Sequence, residues 1–264
     1  NNIKINESRK GIVMSGHSKW ATIKHKKGAL DAKRGKLFSK LSKEISVAAK
    51  QGNDPDTNPR LRLALSKAKE ANMPSDNVDR AVKKGTGELP GVIYEETTYE
   101  GYGAGGVAII VDALTDNKNR TSSEIRTIFT KLNGNMAGQG SVSWMFAKKG
   151  CFLIPKAGID EEKLMSLVLD SGAEDMKTDD EHNFEVIASV KDFEKIKEAL
   201  VKANIKCEQA EITNLPNSYI KLELSPARQV LGLIEALEDH DDVQNVYANF
   251  DIPDEIMQKI ENET

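Results

Sequence analysis

The sequence predicts an α+β multidomain protein. An N-terminal three-helix domain is followed by two ferredoxin-like βαββαβ domains, the third inserted in the second. Three observations predict this. Residues 29–84 place apolar side chains at helical spacing among basic ones, while from residue 93 onward β-branched runs alternate with helical stretches. A chain of 264 residues is long for one core. The charge also changes sign along it: residues 1–90 hold 20 Lys/Arg against 9 Asp/Glu, a net +11, and residues 91–264 hold 17 against 32, a net −15.

In the first helix, 29–50, Leu30, Leu37, Leu41, Ile45 and Ala48 share one face and Gly52 is a stop signal. Asn58-Pro59 opens a second helix, with Asn as N-cap and Pro at the first helical position. Pro74-Ser75 opens a third, with Val78, Ala81 and Val82 inward and Gly85 as its stop. The segment 85–91 reads as a linker.

Beyond it, 93–100 and 107–113 read as strands around a glycine loop. The segment 121–132 reads as a helix with a Thr121/Glu124 capping box, and 141–146 as a strand. The next set is strand 151–154, helix 161–170, strands 173–177 and 184–189, helix 192–203 and strand 206–212. Strand 219–224, a helix from Ser225-Pro226 to Leu237, and strand 243–250 follow. Joined to 107–146, these last elements spell a second βαββαβ. The expected boundaries are a leader at 1–13, a helical nucleic-acid-binding domain at 14–91, a second domain at 92–148 plus 217–264, and an inserted third at 149–216. Lys148-Lys149-Gly150 and 214–217 are read as the boundary loops. A genuine N-terminal arm is the alternative to the leader, Met14 opening the recognisable segment.

No apolar run approaches the roughly 20 residues of a membrane span, so no membrane partner is expected. The two cysteines, Cys151 and Cys207, lack paired spacing, which argues against a disulfide framework or a cysteine zinc site. No stretch reads as a signal peptide, and the unpaired cysteine spacing makes a reducing compartment the default.

The sharpest chemical signal lies in 17–50, where Lys19, Lys24, Lys26, Lys27, Lys33, Arg34, Lys36, Lys40, Lys43 and Lys50 face only Asp31 and Glu44. Lys33, Lys36, Lys40 and Lys43 fall on one helical stripe, about 130° from the leucine face. Such a helix packs a core while lining ammonium groups against phosphates, with the acidic remainder expected to stay clear. Lysine prevails over arginine there, which suits backbone gripping more than base readout. Arg60, Arg62, Arg80, Lys83 and Lys84 are candidates to extend the surface. For Trp20, base stacking and sealing the N-terminus onto the bundle stay open. His17 and His25 have no carboxylate or cysteine at ligand spacing, so phosphate contact or structural hydrogen bonding outranks metal binding.

Gly101–Gly106 fits G-x-G-x-x-G formally, but a β-branched run follows where that fingerprint needs a helix, so a hairpin turn is expected. Gly134–Gly140 is read as a tight helix-to-strand connection. The two cysteines lie in apolar strands. Glu95-Glu96, Asp179-Asp180 and Asp241-Asp242 read as solvated acidic surface. No catalytic residue, cofactor or metal is therefore expected, and the chain is not read as an enzyme.

Residues 15–28, SGHSKWATIKHKKG, are joined by Ala71-Asn-Met-Pro74, Asp76-Asn77, Lys83-Lys84-Gly-Thr-Gly87, Tyr99-Glu-Gly-Tyr-Gly103, Thr115-Asp-Asn-Lys-Asn-Arg-Thr121 and Gly140-Ser-Val-Ser-Trp-Met-Phe146. As a set they resemble the YebC/PmpR family, which includes the mitochondrial translational activator of cytochrome c oxidase. Ser75 stands where many members carry lysine, which removes a charge from the start of the third helix. The resemblance implies three domains with the third inserted in the second, a cytoplasmic protein, and no catalytic residues to carry over. It implies a DNA-binding transcriptional regulator, or a ribosome-associated factor on ribosomal RNA that eases translation through proline runs. DNA and ribosomal RNA both stay open as partners, with the ribosome implied by the second. Partner-protein contact is the expectation for the acidic domains.

Overall fold

The computed structural model describes residues 30–178, 180 and 182–262, with the side chains of 30–33, 254, 261 and 262 outside the description. Two compact units contain them, one made of 30–144 with 220–262 and the other of 145–219. The first runs through α1 (Leu30–Ala49), α2 (Pro59–Glu70), α3 (Ser75–Thr86), β1 (Glu95–Tyr102), β2 (Ala108–Thr115), α4 (Lys118–Lys131) and β3 (Asn135–Ala137). The other holds β4 (Phe146–Pro155), α5 (Glu161–Asp170), β5 (Ala173–Lys177), β6 (Asn183–Ala188), α6 (Phe193–Lys202) and β7 (Gln209–Pro216). The first then resumes with β8 (Ile220–Lys221), α7 (Leu224–Glu238), β9 (Val243–Ala248), β10 (Phe250–Asp251) and α8 (Asp254–Asn262).

Alanine-rich seams bring the first three helices together. Leu41, Ile45, Ala48 and Ala49 of α1 bury against Leu61, Ala64 and Ala68 of α2, with Met73 of the following turn and Ala81 of α3. Asn58 caps α2, accepting the Leu61 N–H at 3.1 Å, and its amide donates to the carbonyls of Ala48 and Gly52 at 2.8 Å each. One side chain thus starts α2 and ties it to the end of α1. Leu37 departs from its expected inward place and is 45% exposed; Phe38, about 100° further round, packs on the core instead.

The third helix does not stop at Gly85. It continues to Thr86 and ends on Gly87, whose φ of 83° is the left-handed cap. Gly85 serves a different purpose inside the helix. A Cβ there would lie 2.3 Å from the Ser46 carbonyl oxygen and 2.7 Å from the Ala49 Cβ, so its missing side chain lets α3 meet α1.

A four-stranded antiparallel sheet in the order β3-β1-β2-β9 follows. Its β2 is buried nearly throughout, while Ile125 and Phe129 of α4 and Val230, Leu233, Ile234 and Leu237 of α7 supply buried apolar faces. The expected hairpin β1–β2, joined across Ala104–Gly106, forms the centre of this sheet. The sheet departs from the expected second βαββαβ pattern at three places. The segment 141–146 is no strand of it; Ser143–Met145 is a 3-10 turn. A short strand, β3, sits instead within the segment read as a tight connection. The expected strand 219–224 shrinks to Ile220–Lys221, paired in parallel with β10.

The reason for the displaced strand is Glu100 of β1. Its carboxylate, 4% exposed with its residue, accepts N–H groups from Gly140 (2.7 Å), Val142 (2.7 Å) and Ser143 (3.0 Å). Burial alone raises this carboxyl, but the three N–H donors outweigh it and hold it below the usual carboxylate range. Amides claimed by a carboxylate are lost to a sheet ladder. The α4 start also differs. Asn117 is the N-cap, accepting the Arg120 N–H at 3.1 Å, so Thr121 lies inside the helix and forms no capping box with Glu124.

In residues 145–219 the element order is β-α-β-β-α-β and the antiparallel sheet order is β5-β6-β4-β7. Leu164 and Val168 of α5 and Phe193, Ile196 and Leu200 of α6 pack on Phe152, Ile154, Phe184 and Val186. Phe152 and Phe193 stack with centroids 4.8 Å apart. The expected boundary loops are strand here. Lys148-Lys149-Gly150 pairs with Asn214, Thr213 and Ile212, and Phe146 with Pro216. Gly150 admits the Phe193 ring, which a Cβ would meet at 2.7 Å.

Candidate nucleic-acid interface

The stripe on α1 is real in its geometry, but its partner is not solvent. Lys36, Lys40 and Lys43 all point to the end of α7 and the turn after it. The Lys40 ammonium donates to the Glu238 carbonyl at 2.6 Å. Lys36 donates to the Asp239 carbonyl and carboxylate at 3.2 and 3.4 Å. Lys43 reaches the Asp241 carbonyl at 3.0 Å and the Asp242 carboxylate at 2.7 Å. The expectation that the acidic remainder stays clear of these lysines is therefore corrected. Carbonyls left unpaired at a helix C-terminus, plus carboxylates beside them, form an anionic site that ammonium groups fill.

Asp242 is the anchor of this contact. It was read as solvated surface, yet it is 5% exposed. Its other carboxylate oxygen accepts from Arg120 and from the Thr121 hydroxyl, each at 2.7 Å. Burial alone raises the Asp242 carboxyl; bonds from Lys43, Thr121 and Arg120 outweigh that and hold it well below the usual carboxylate range. In return, the bond to Asp242 raises the Arg120 guanidinium. His240 stiffens the turn, accepting the Asp242 N–H at 3.1 Å on Nδ1, with Nε2 2.9 Å from Glu124. Beside these groups opens a groove of about 800 Å3, with Tyr94, Ser123 and Thr127 on its walls. Lys43 also lies over the Tyr94 ring, 5.3 Å from its centroid.

The remaining expected cations divide. Arg60 bonds Glu96, and Arg62 donates to the Pro55 and Asp56 carbonyls. Arg34 is exposed and stacks over Phe38 at 5.4 Å. Arg80, Lys83 and Lys84 stand exposed on one face of α3, and no ion pair joins them to an acid among the described residues. His17, Lys19, Trp20, Lys24, His25, Lys26 and Lys27 lie outside the described residues, as does the side chain of Lys33.

The glycine segment 101–106 turns a hairpin and is followed by β2, leaving no helix N-terminus for a nucleotide phosphate. Burial pushes the Cys151 thiol well up, and also raises Cys207, so neither is a ready nucleophile. Among the described residues no group of three His, Cys, Asp or Glu is placed to hold a metal ion, and no helix is long and apolar enough to cross a membrane. Sequence reasoning missed Glu100 and the acidic turn. It also missed Trp144, which is 69% exposed, its indole N–H donating to the Ser141 carbonyl at 3.1 Å. The local signal for the turn was the run Glu238-Asp-His-Asp-Asp242 following a helix, where acids oppose the dipole and so need cations from elsewhere.

Two family models match the chain: the TACO1/YebC protein N-terminal domain over residues 18–88 and the TACO1/YebC second and third domain over residues 94–250. A relative from Natranaerobius thermophilus is 58% identical over 249 residues, 93% of this chain and 99% of the relative. Another from Geotalea uraniireducens is 57% identical over 248 residues, 94% of this chain and all of the relative. Both bear the name "Probable transcriptional regulatory protein". Among solved structures, a conserved hypothetical protein from Aquifex aeolicus superposes with a TM-score of 0.80 at 48% identity, covering 91% of this chain and 99% of that one.

Proposed function

The chain belongs to the TACO1/YebC family, and from that premise we propose that it is a cytoplasmic, non-enzymatic, nucleic-acid-binding regulator of gene expression. DNA is the first reading, since the relatives carry a transcriptional name. The observation that carries the proposal is the exposed face of Arg80, Lys83 and Lys84 on α3, free of acidic partners among the described residues. Cations held out in solvent with no counter-charge are what a phosphodiester backbone recruits, since each phosphate contact releases condensed counterions. The lysine-rich segment before α1 would extend that grip. One observation favours ribosomal RNA as a second reading: lysine outnumbers arginine in 17–50, so the surface suits phosphates and shape more than base edges. The same proposal assigns domains at 14–91, 92–144 plus 220–264, and 145–219, the expected 148/149 and 216/217 boundaries moving outward because β4 and β7 pair across them. The β5-β6-β4-β7 order supports a ferredoxin-like label for the last of these.

Charge reversal tests it. Arg80→Glu/Lys83→Glu/Lys84→Glu alters only exposed side chains, and affinity for DNA or ribosomal RNA is expected to fall at least tenfold. The slope of log affinity against log salt should shrink by about 3. Undiminished binding to both polymers would overturn the proposal. Crosslinking and sequencing of nucleic acid bound in cells separates the readings, because reads confined to ribosomal RNA exclude promoters.

A further inference from the structure

We infer that the acidic turn after α7 is an internal competitor for the lysine face of α1, occupying it in place of a phosphodiester backbone. The inference rests on the nucleic-acid reading above and adds its regulation. Lys36, Lys40 and Lys43 span about 10 Å of helix axis. A duplex strand offers one phosphate per roughly 3.4 Å, so three ammonium groups match about three successive phosphates. The turn answers the same three groups with the carbonyls of Glu238, Asp239 and Asp241 and the carboxylates of Asp239 and Asp242. It does so at the negative end of α7, where the helix dipole adds to the formal charge.

The two ends of this clasp differ in strength. Lys43 and Asp242 are 13% and 6% exposed in their side chains, and Asp242 is further held by Arg120 and Thr121. Lys36 and Asp239 are 46% and 67% exposed, so water and salt weaken that pair. The loose end opens first and the anchored end sets the cost of full opening. While the clasp is shut these lysines are spent on the protein's own acids. Apparent affinity for polyanion is then the intrinsic affinity multiplied by the fraction of molecules in which it is open.

The full chain tests this. Asp239→Asn/Asp241→Asn removes the exposed charge of the turn and leaves Asp242 in place. Glu162→Gln/Glu255→Gln makes the same change in net charge at exposed positions outside the clasp. Binding of a short random-sequence DNA duplex is measured at fixed salt, with a ribosomal RNA fragment as a second arm to tell the polyanions apart. The clasp variant is expected to bind about 3- to 10-fold tighter than the control variant. Hydrogen exchange at 238–242 should quicken when the wild type binds the duplex, because the turn is displaced. Equal affinity of the two variants, or unchanged protection of 238–242 in a wild type that does bind, overturns the competition alone. Failure of the wild type to bind either polymer removes the nucleic-acid reading and this one together.

Discussion

Replacing Asp242 with asparagine keeps its shape and removes its charge. Three groups lose a carboxylate, and their surroundings set the cost of each. Arg120 is 44% exposed and keeps Asp116 at 2.9 Å, so solvent and its second partner leave its loss small. The Thr121 hydroxyl keeps the Asn117 carbonyl and Thr115 as partners, so it adds little. Lys43 is 13% exposed and, among the described residues, retains the Asp241 carbonyl and the Tyr94 ring, so it loses a charge-assisted bond worth about 2 kcal/mol. The cost is therefore about 2 kcal/mol, below that of breaking a fully buried pair because Arg120 and Thr121 keep other partners. Denaturant titration, with β2 amide exchange as the local probe, measures it. Lys43→Met should cost a similar amount, and the double variant should fall short of additivity by about 1.5 kcal/mol. The pH dependence has a definite sign. The folded carboxyl sits below its unfolded value, so its stabilisation is present above about pH 4 and is lost as pH falls further. The gap between wild type and Asp242→Asn should therefore narrow in acid. A cost under about 1 kcal/mol, full additivity, or a gap that does not narrow would refute the anchor role.

Two further perturbations follow from packing. Gly85→Ala should destabilise the helical part by about 2 kcal/mol through its clash with Ser46. Gly35→Ala, with no described atom within 4 Å of the added Cβ, should stabilise by about 0.5–1 kcal/mol; thermal unfolding of the pair separates packing from propensity. Glu100→Gln should cost about 2 kcal/mol and speed amide exchange at Val142 and Ser143, since a neutral amide oxygen cannot replace two carboxylate oxygens accepting three N–H bonds.

The helices were legible where a cap or a seam is local. Asn58-Pro59 marks the start of α2 by its own chemistry, and the hairpin at 101–106 follows from β-branched runs around glycine. Failures came where a residue has a distant partner. Gly85 resembles a helix stop until Ser46 and Ala49 are seen against it. The segment 141–146 alternates like a strand, but Glu100 holds its amides from forty residues away. Thr121 resembles a cap, yet its hydroxyl serves Asp242.

The same division applies to the candidate interface. By itself the sequence determined that α1 carries apolar and cationic stripes, because helical periodicity is a property of adjacent turns. Only the tertiary structure decided what the cationic stripe touches. Its partners lie about 200 residues along the chain, at 238–242, and spatial pairing at that separation leaves no periodic trace in either segment. Whether a lysine row meets solvent or the protein's own carboxylates is a matter of which surfaces fold together, and local composition is the same in both cases.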